Sequence, residues 1–205
     1  MTRNIFISFR YADGIKYKEH LQRLFDMSDN FCDFSEDEDR SNLNEDSIKR
    51  YLYSKLKKTS LTIVIITPMA LNYREDRYGR IDDWMYDEVR YSLEDRENNR
   101  SNALIALYVP EVEHRLISKG VDGNIIKVNN FNNLCLKNMF NVLPEHKMCS
   151  TRDSYNRDYD SYCSLVPFDD FVRNPKKYIQ IAEYKRDNIN NYKLIKSIQN
   201  MSWIF

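Results

Sequence analysis

The chain has 205 residues, of which 42% are hydrophobic and 30% are charged, with 31 basic residues balanced by 31 acidic ones. This length accommodates one domain with a full core and a modest extension, and the composition is that of a globular protein. The formal net charge of zero provides no overall attraction to nucleic acid or to an anionic membrane, so neither is expected as a partner.

The compartment is indicated by the first residues and by the cysteines. The opening MTRNIFISFRYAD lacks the length and flanks of a signal peptide, and the longest apolar run, Leu61 to Leu71, is short of the roughly 20 residues that cross a bilayer. We therefore expect a cytoplasmic protein. The cysteines form no C-x-x-C pair, which favours reduced thiols over disulfides or a zinc site, and no metal is expected. They are Cys32, Cys135, Cys149 and Cys163.

Strand and helix patterns alternate along residues 1–130. The run NIFISF, Asn4 to Phe9, predicts a central strand covered on both faces, and Asp13 is a plausible N-cap for the helix that follows. Further strands are predicted at residues 31–34, 60–68, 102–109 and 124–128, with helices near 48–58 and 82–95. This alternation is typical of an α/β protein with a flavodoxin-like, doubly wound parallel sheet of five strands in the order 2-1-3-4-5.

The pattern is weaker after residue 130. FNNLCLKNMFNVL could form a helix, the tyrosine-rich residues 152–162 read as a loop, and NPKKYIQIAEYKRD and NYKLIKSIQN look helical. We therefore divide the chain into a flavodoxin-like α/β domain at residues 1–130 and a helical and loop extension at residues 131–205 that packs on the same domain.

The helix DDWMYDEVRYSLED carries an acid in an unexpected position. At about 100° per residue, Glu88 projects from the middle of a face formed by apolar side chains such as Met85 and Val89. A carboxylate in apolar surroundings is costly unless it is paired, hydrogen-bonded or protonated, so Glu88 is a candidate functional residue. A structural acid held by backbone amides or by Arg10 is the alternative, and the helix pattern alone leaves both open.

Ligands of an open parallel sheet bind beyond the carboxyl ends of its strands. Here this edge should contain residues 8–13, 35–44 and 67–73 and the start of the Glu88 helix. The chain has neither G-x-G-x-x-G nor a P-loop, so a standard nucleotide cradle is not expected. A phosphate-accepting receiver domain is also disfavoured, because Ser8, Phe9 and Arg10 follow the first strand where that class requires acids.

Two motifs on either side of the strand SLTIVIITP resemble the TIR superfamily. IFISFRYAD, Ile5 to Asp13, matches its first strand, and Trp84 and Glu88 in DDWMYDEV match its W-x-x-x-E helix motif. The similarity covers roughly Arg3 to Val109. Within the superfamily, the chain resembles the bacterial TIR-like branch that includes the ThsB-like proteins of the Thoeris anti-phage system.

The resemblance implies an enzyme that binds NAD as its substrate, needs no other cofactor and cleaves the bond between nicotinamide and ribose. The ADP-ribose is released or converted into a cyclic or conjugated messenger that activates a separate effector protein. Homo-oligomers are compatible with this function. The resemblance implies Glu88 at the ribose. From their positions we expect Ser8, Phe9 and Arg10 opposite, with Phe9 or Tyr11 stacking on a ring, Arg10 near phosphate, and Trp84 setting the helix against the site.

Two other functions remain open. One is a TIR module that signals by protein assembly and makes no product, against which the Trp84 and Glu88 pair argues. The other is a different N-glycosidic enzyme, similar to the nucleoside deoxyribosyltransferases. The acidic residues between Ser35 and Asp46 are unfavourable neighbours for a nucleotide's phosphates, so direct contact of this loop with NAD is not expected.

Overall fold

The computed structural model describes residues 3–27, 31–33, 45–95, 100–119, 125–148, 156 and 158–198. The acidic segment 35–44, Cys149 and residues 152–155 and 157 of the predicted loop lie outside these ranges.

A parallel sheet forms the centre of the described structure. Its strands lie in the order β2-β1-β3-β4-β7, and each neighbouring pair is parallel. Two short strands, β5 and β6, pair antiparallel with each other outside this sheet. The strands are β1 (Arg3–Ser8), β2 (Phe31–Asp33), β3 (Leu61–Ile66), β4 (Ala103–Tyr108), β5 (Ile117–Lys119), β6 (Ile125–Val128) and β7 (Cys163–Pro167).

Helices flank the parallel sheet, which confirms the predicted α/β class. They are α1 (Tyr11–Asp26), α2 (Glu45–Leu56), α3 (Trp84–Ser92), α4 (Glu113–Leu116), α5 (Leu134–Lys137), α6 (Phe168–Arg173) and α7 (Pro175–Asp187). Single 3-10 turns lie at Pro68–Ala70, Pro110–Val112, Pro144–His146 and Ile189–Asn191. Among the described residues, no helix combines the length and apolar character that a membrane crossing requires.

The predicted fifth strand is wrong. Residues 125–128 form β6 of the antiparallel pair, and the place beside β4 is taken by β7, which comes from the segment predicted to be an extension. An apolar run such as IIKV fits either kind of sheet, because periodicity identifies a strand and not its partner. The segment 131–205 thus contributes a strand to the parallel sheet, and α7 packs against β4.

Three predicted helix features also differ from the structure. Helix α1 begins at Tyr11, so Asp13 lies in its first turn and does not cap it. Within residues 131–143 only α5 is an α-helix. Residues 192–198 are not helical, because neighbouring segments bind their backbone groups: the amide of Ile195 donates to Asn138 Oδ1 at 2.9 Å, and that of Lys193 to the carbonyl of Asn141 at 2.8 Å.

Successive side chains of β1 point to opposite faces of the sheet. Phe6 packs with Leu52 of α2 and Tyr91 of α3, whereas Ile5 and Ile7 belong to the main core. Ser8 lies two residues after Phe6 at the carboxyl end of the strand, and it therefore faces α3. This register places the last residue of β1 opposite the helix that carries Glu88.

Candidate active site

Glu88 and Ser8 meet between α3 and the end of β1. Ser8 Oγ donates a hydrogen bond to Glu88 Oε2 at 2.6 Å across 80 residues of sequence. Glu88 is only 8% exposed and Ser8 is completely buried. A bond between a hydroxyl and a carboxylate is shorter and stronger than one between neutral groups, so Ser8 fixes one oxygen of a carboxylate that has little contact with water.

Asp83 and Arg10 form a second polar contact between the same two elements. The Arg10 guanidinium forms an ion pair with Asp83 Oδ2, and the Asp83 side chain is fully buried. Asp83 is also the N-cap of α3, because its Oδ1 accepts the Met85 amide at 2.9 Å. Its Oδ2 accepts the Arg74 amide at 2.6 Å. The alternative in which Arg10 holds Glu88 is therefore wrong, since Arg10 pairs with Asp83.

Arg10 retains one polar atom without an acceptor in the described part of the chain. Arg10 is 7% exposed, and its Nε makes no hydrogen bond there. A buried donor of a cation that lacks an acceptor is costly and rare in native structures, so such an atom calls for an explanation. An oxygen atom of a bound ligand would supply the missing acceptor.

Phe9 and Tyr11 lie away from this pair of contacts. Phe9 points to the opposite side of β1 from Ser8 and packs on α1, where a Cβ added at Gly14 would lie 3.3 Å from Phe9 Cβ. The Phe9 ring is 5.9 Å from Lys18 Nζ and 6.3 Å from the ring of Tyr11, which is exposed. The glycine therefore allows α1 to approach the Phe9 side chain.

Trp84 is half-buried on the side of α3 that faces α2. It packs against the small cluster of Phe6, Leu52, Leu56 and Tyr91. This contact joins α3 to α2. The structure thus joins Ser8 and Arg10 to α3, places Trp84 between α3 and α2, and puts Phe9 with α1 and its neighbour Tyr11.

The remaining edge of the site is built from the connection between β3 and α3. Asp13 of α1 accepts hydrogen bonds from Thr67 Oγ1 at 2.7 Å and from the Met69 amide at 2.9 Å. The Tyr73 hydroxyl accepts the Leu134 amide at 3.0 Å, and burial raises the pKa of this phenol well above its usual value. Tyr73 therefore stays neutral, and these bonds hold the first part of the connection, residues 67–73, in place.

Asp83 is the residue that sequence reasoning missed. Its signal was present, because an aspartate directly before an apolar helical pattern is a strong N-cap. However, Asp82 fits the same description, and the partner Arg10 lies 73 residues away. Within the described residues, no group of three or more His, Cys, Asp and Glu side chains is arranged to hold a metal ion.

The arrangement suits the recognition of a polar, partly cationic ligand. The Glu88 carboxylate can accept hydrogen bonds from hydroxyl groups and can stabilise a positive charge, and its shielding from water strengthens both interactions. Arg10 lies two residues after Ser8 in the chain, and its charge is paired with Asp83. The site therefore contains two buried acids, one bonded to a hydroxyl group and one paired with a cation.

A comparison with protein families matches this part of the chain. The family model described as "Thoeris protein ThsB, TIR-like domain" matches residues 6–114. This stretch is more than half of the chain. It contains Ser8, Arg10, Asp83 and Glu88, and it ends before the segments that form β7 and α7.

Proposed function

Since the chain belongs to the family of TIR-like domains of the Thoeris protein ThsB, a family of anti-phage defence signalling, we propose that it is an enzyme that cleaves NAD. The observation that carries the proposal is the buried Glu88 carboxylate, fixed by Ser8 at 2.6 Å. Burial of a carboxylate is costly, so a buried acid at the edge of the sheet is a candidate for a chemical role.

The proposed reaction breaks the bond between ribose C1′ and the nicotinamide nitrogen. The bonding electron pair leaves with nicotinamide, which was cationic in NAD and departs neutral, so no general acid is needed. This distinguishes the reaction from ordinary glycoside hydrolysis with its two carboxylates. Positive charge develops on the ribose, and water or a second nucleophile then bonds to C1′ and loses a proton.

Glu88 is the catalytic residue of this proposal. Its carboxylate accepts hydrogen bonds from the ribose hydroxyls and stabilises the oxocarbenium-like transition state. Such stabilisation is strong when the charge is fixed in advance and shielded from water, and both conditions apply to Glu88. Ser8 supports the reaction by holding one Glu88 oxygen.

Arg10 is proposed to bind the substrate through its Nε. That donor is buried and lacks an acceptor among the described residues, and a phosphate or hydroxyl oxygen of NAD would satisfy it. Trp84 acts by orienting α3. Phe9 and Tyr11, on the α1 side, form the part of the proposed binding surface that can stack on a ring of the nucleotide.

The ADP-ribose product, released or rearranged into a messenger, is proposed to activate a separate effector protein. The family match supports this, since Thoeris is a defence system in which ThsB is one of the proteins. The chain is proposed to act without a metal ion.

The test is incubation of the purified chain with NAD, followed by chromatography for nicotinamide. The Glu88→Gln variant keeps the size of the side chain and removes the charge, and we expect turnover to fall at least about 1,000-fold, as for loss of a key electrostatic group. Asp87→Asn is the matched control, because Asp87 is the half-exposed neighbour on the same helix. Its turnover should stay within about twofold of wild type, as is usual for surface substitutions.

The same experiment separates the two other functions. Parallel incubations replace NAD by nucleosides, and a further set adds lysate from phage-infected cells to supply a trigger. Glycosidic cleavage of nucleosides without cleavage of NAD would assign the deoxyribosyltransferase-like activity. Absence of nicotinamide release in every arm, or full turnover in Glu88→Gln, would refute the proposal.

A further inference from the structure

Asp83 is bonded to three separate parts of the chain. Its carboxylate accepts from the Arg10 guanidinium just after β1, from the Arg74 amide in the connection between β3 and α3, and from the Met85 amide in the first turn of α3. The side chain is fully buried. A helix cap alone requires only the last of these bonds.

The position of Asp83 links it to the two residues of the candidate site. Arg10 lies two residues after Ser8, and Glu88 lies between one and two helical turns after Asp83. The Arg10 contact therefore joins the end of β1 to the start of α3 beside the point where Ser8 meets Glu88. Movement of the helix start would displace the Glu88 carboxylate from Ser8.

From this geometry we infer that Asp83 is a positioning residue, which holds the start of α3 against the end of β1 so that Glu88 meets Ser8 and, on the proposed function, the ribose of NAD. Holding Glu88 in this position requires both the negative charge of Asp83 and its ability to cap α3. Because a misplacement of about 1 Å can reduce turnover about 100-fold, the loss of this contact is expected to lower kcat.

The first test is the Asp83→Asn variant. Asparagine caps helices about as well as aspartate, so the Met85 bond can persist while the pairing with Arg10 is lost. We expect kcat for nicotinamide release to fall about 30-fold, with KM within about threefold, because the displaced group acts in the transition state. Asp83→Ser, another capping residue without charge, is the second variant if Asp83→Asn does not fold.

Asn174→Ala is the matched control. Asn174 caps α7, where its Oδ1 accepts the Lys177 amide at 3.3 Å, and α7 lies against β4 and β7. Its loss should lower the melting temperature and leave kcat within about twofold of wild type, since a cap contributes only to stability there. Equal kcat losses in Asn174→Ala and Asp83→Asn would assign Asp83 a purely structural role and overturn the inference.

A second measurement does not depend on NAD cleavage. The coupling between Ser8→Ala and Glu88→Gln is measured by urea unfolding in a double-mutant cycle, first with Asp83 present and then with Asp83→Asn. We expect the coupling, as a factor in the unfolding equilibrium constant, to be about tenfold with Asp83 and below threefold without it. In the Asn174→Ala background it should remain about tenfold.

The two measurements keep the inference separate from the proposed function. A wild-type chain that releases no nicotinamide refutes NAD cleavage, and the unfolding cycle then decides the role of Asp83 alone. Coupling that is unchanged by Asp83→Asn would overturn the positioning role even if NAD is cleaved.

Discussion

The two ends of α3 are held in opposite ways. From its start to its middle, charged groups are buried: Asp83 with Arg10, and Glu88 with Ser8. At its end, the buried network is neutral. Ser92 Oγ donates to the Glu88 carbonyl at 2.8 Å and lies 2.7 Å from Thr62 Oγ1, and Asn102 donates to Thr62 at 3.1 Å.

The neutral end shows that this helix can be attached to the sheet without buried charge. Buried ion pairs contribute little to stability, because desolvation offsets their attraction, whereas satisfied hydroxyl and amide networks contribute modestly without that cost. The two ends also differ in the atom that each leaves without a partner in the described residues: Nε of a cation at the start, and the neutral Asn102 Oδ1 at the end. Attachment of α3 to the sheet therefore does not by itself require buried charge, and the proposed function gives a reason for it.

The largest expected difference in turnover between the two ends follows from shortening the side chain of one acidic residue at each. Glu88→Asp keeps the charge but withdraws the carboxylate by one methylene, and we expect turnover of NAD to fall about 100-fold or more. Glu94→Asp is the control at the other end, where Glu94 accepts from the Tyr53 hydroxyl at 3.0 Å. Nicotinamide release should change less than twofold there, as for most substitutions outside a site. Similar losses in both variants would remove the functional distinction between the ends.

A smaller difference is expected from removing one buried serine hydroxyl at each end. Ser8→Ala deprives Glu88 Oε2 of its donor, and we expect kcat to fall about tenfold because the carboxylate loses its fixed position. Ser101→Ala is the counterpart, since the buried Ser101 hydroxyl donates to the Leu93 carbonyl at 2.8 Å and contacts Asp95 Oδ1 at 3.3 Å.

Both serine variants should be destabilised by about 1–3 kcal/mol, the usual consequence of leaving a buried polar group without its partner. Only Ser8→Ala should lose turnover when both are assayed well below their melting temperatures. A kcat loss in Ser101→Ala as large as in Ser8→Ala would contradict a role specific to the start of α3.

The parts of the candidate site that could be predicted are those for which the sequence pattern of a single helix or strand was sufficient. Helical periodicity was sufficient to place Glu88 on the apolar face of α3, and the end of an apolar run was sufficient to place Ser8 at the edge of the sheet. The pairing of Arg10 with Asp83 was not predictable, because it joins residues 73 positions apart. Nothing in the sequence distinguishes Asp82 from Asp83 as the cap, and only packing makes that choice.

The sheet was predictable up to β4 and not beyond it. The strands β3 and β4 are nearly continuous apolar runs, and β1 contains three consecutive apolar residues, Ile5 to Ile7, as expected for buried parallel strands. By contrast, β7 reads CSLVP and β6 reads IIKV, and nothing in these two short runs marks β7 as the strand that joins the parallel sheet. Strand choice here depends on long-range contacts, including the buried Tyr162, whose hydroxyl donates to the Asn102 carbonyl at 2.7 Å.

From the difference between the two ends of α3, we expect that loss of a hydroxyl group at the neutral end lowers stability and leaves turnover unchanged. Thr62→Val removes the hydroxyl that contacts both Ser92 and Asn102, while Asn102 keeps its bond to Thr59 Oγ1 at 2.9 Å. We expect the free energy of unfolding to fall by about 1–2 kcal/mol. Turnover should remain within about twofold at a temperature where the variant is fully folded, as measured by nicotinamide release beside circular dichroism.

The smallest effect on turnover is expected from Lys185→Met, which removes a buried charge on α7, outside the candidate site. Lys185 is fully buried, donates to the Ser161 carbonyl at 2.8 Å and to Ser164 Oγ at 2.6 Å, and has no carboxylate partner in these bonds. Burial lowers the pKa of Lys185 to about 8, although the fields of Cys163 and Asp158 partly oppose this. Between this pKa and the unfolded value of 10.5, the unfolded chain binds a proton that the folded chain lacks.

The stability of the wild type should therefore rise with pH across that window, by up to about 1.4 kcal/mol per pH unit from this group. Lys185→Met removes the linkage, so its stability relative to wild type should be highest at pH 7 and decrease towards pH 10 in urea unfolding. Lys176→Met, at an exposed position of α7, is the control for the loss of a lysine side chain from the same helix. Parallel profiles for wild type and Lys185→Met would show that a lone buried cation carries no proton linkage here. Burial of a charge away from the site would then have no measurable cost. In that case the buried charges of Arg10 and Asp83 would need no functional explanation, and the contrast between the two ends of α3 would no longer support one.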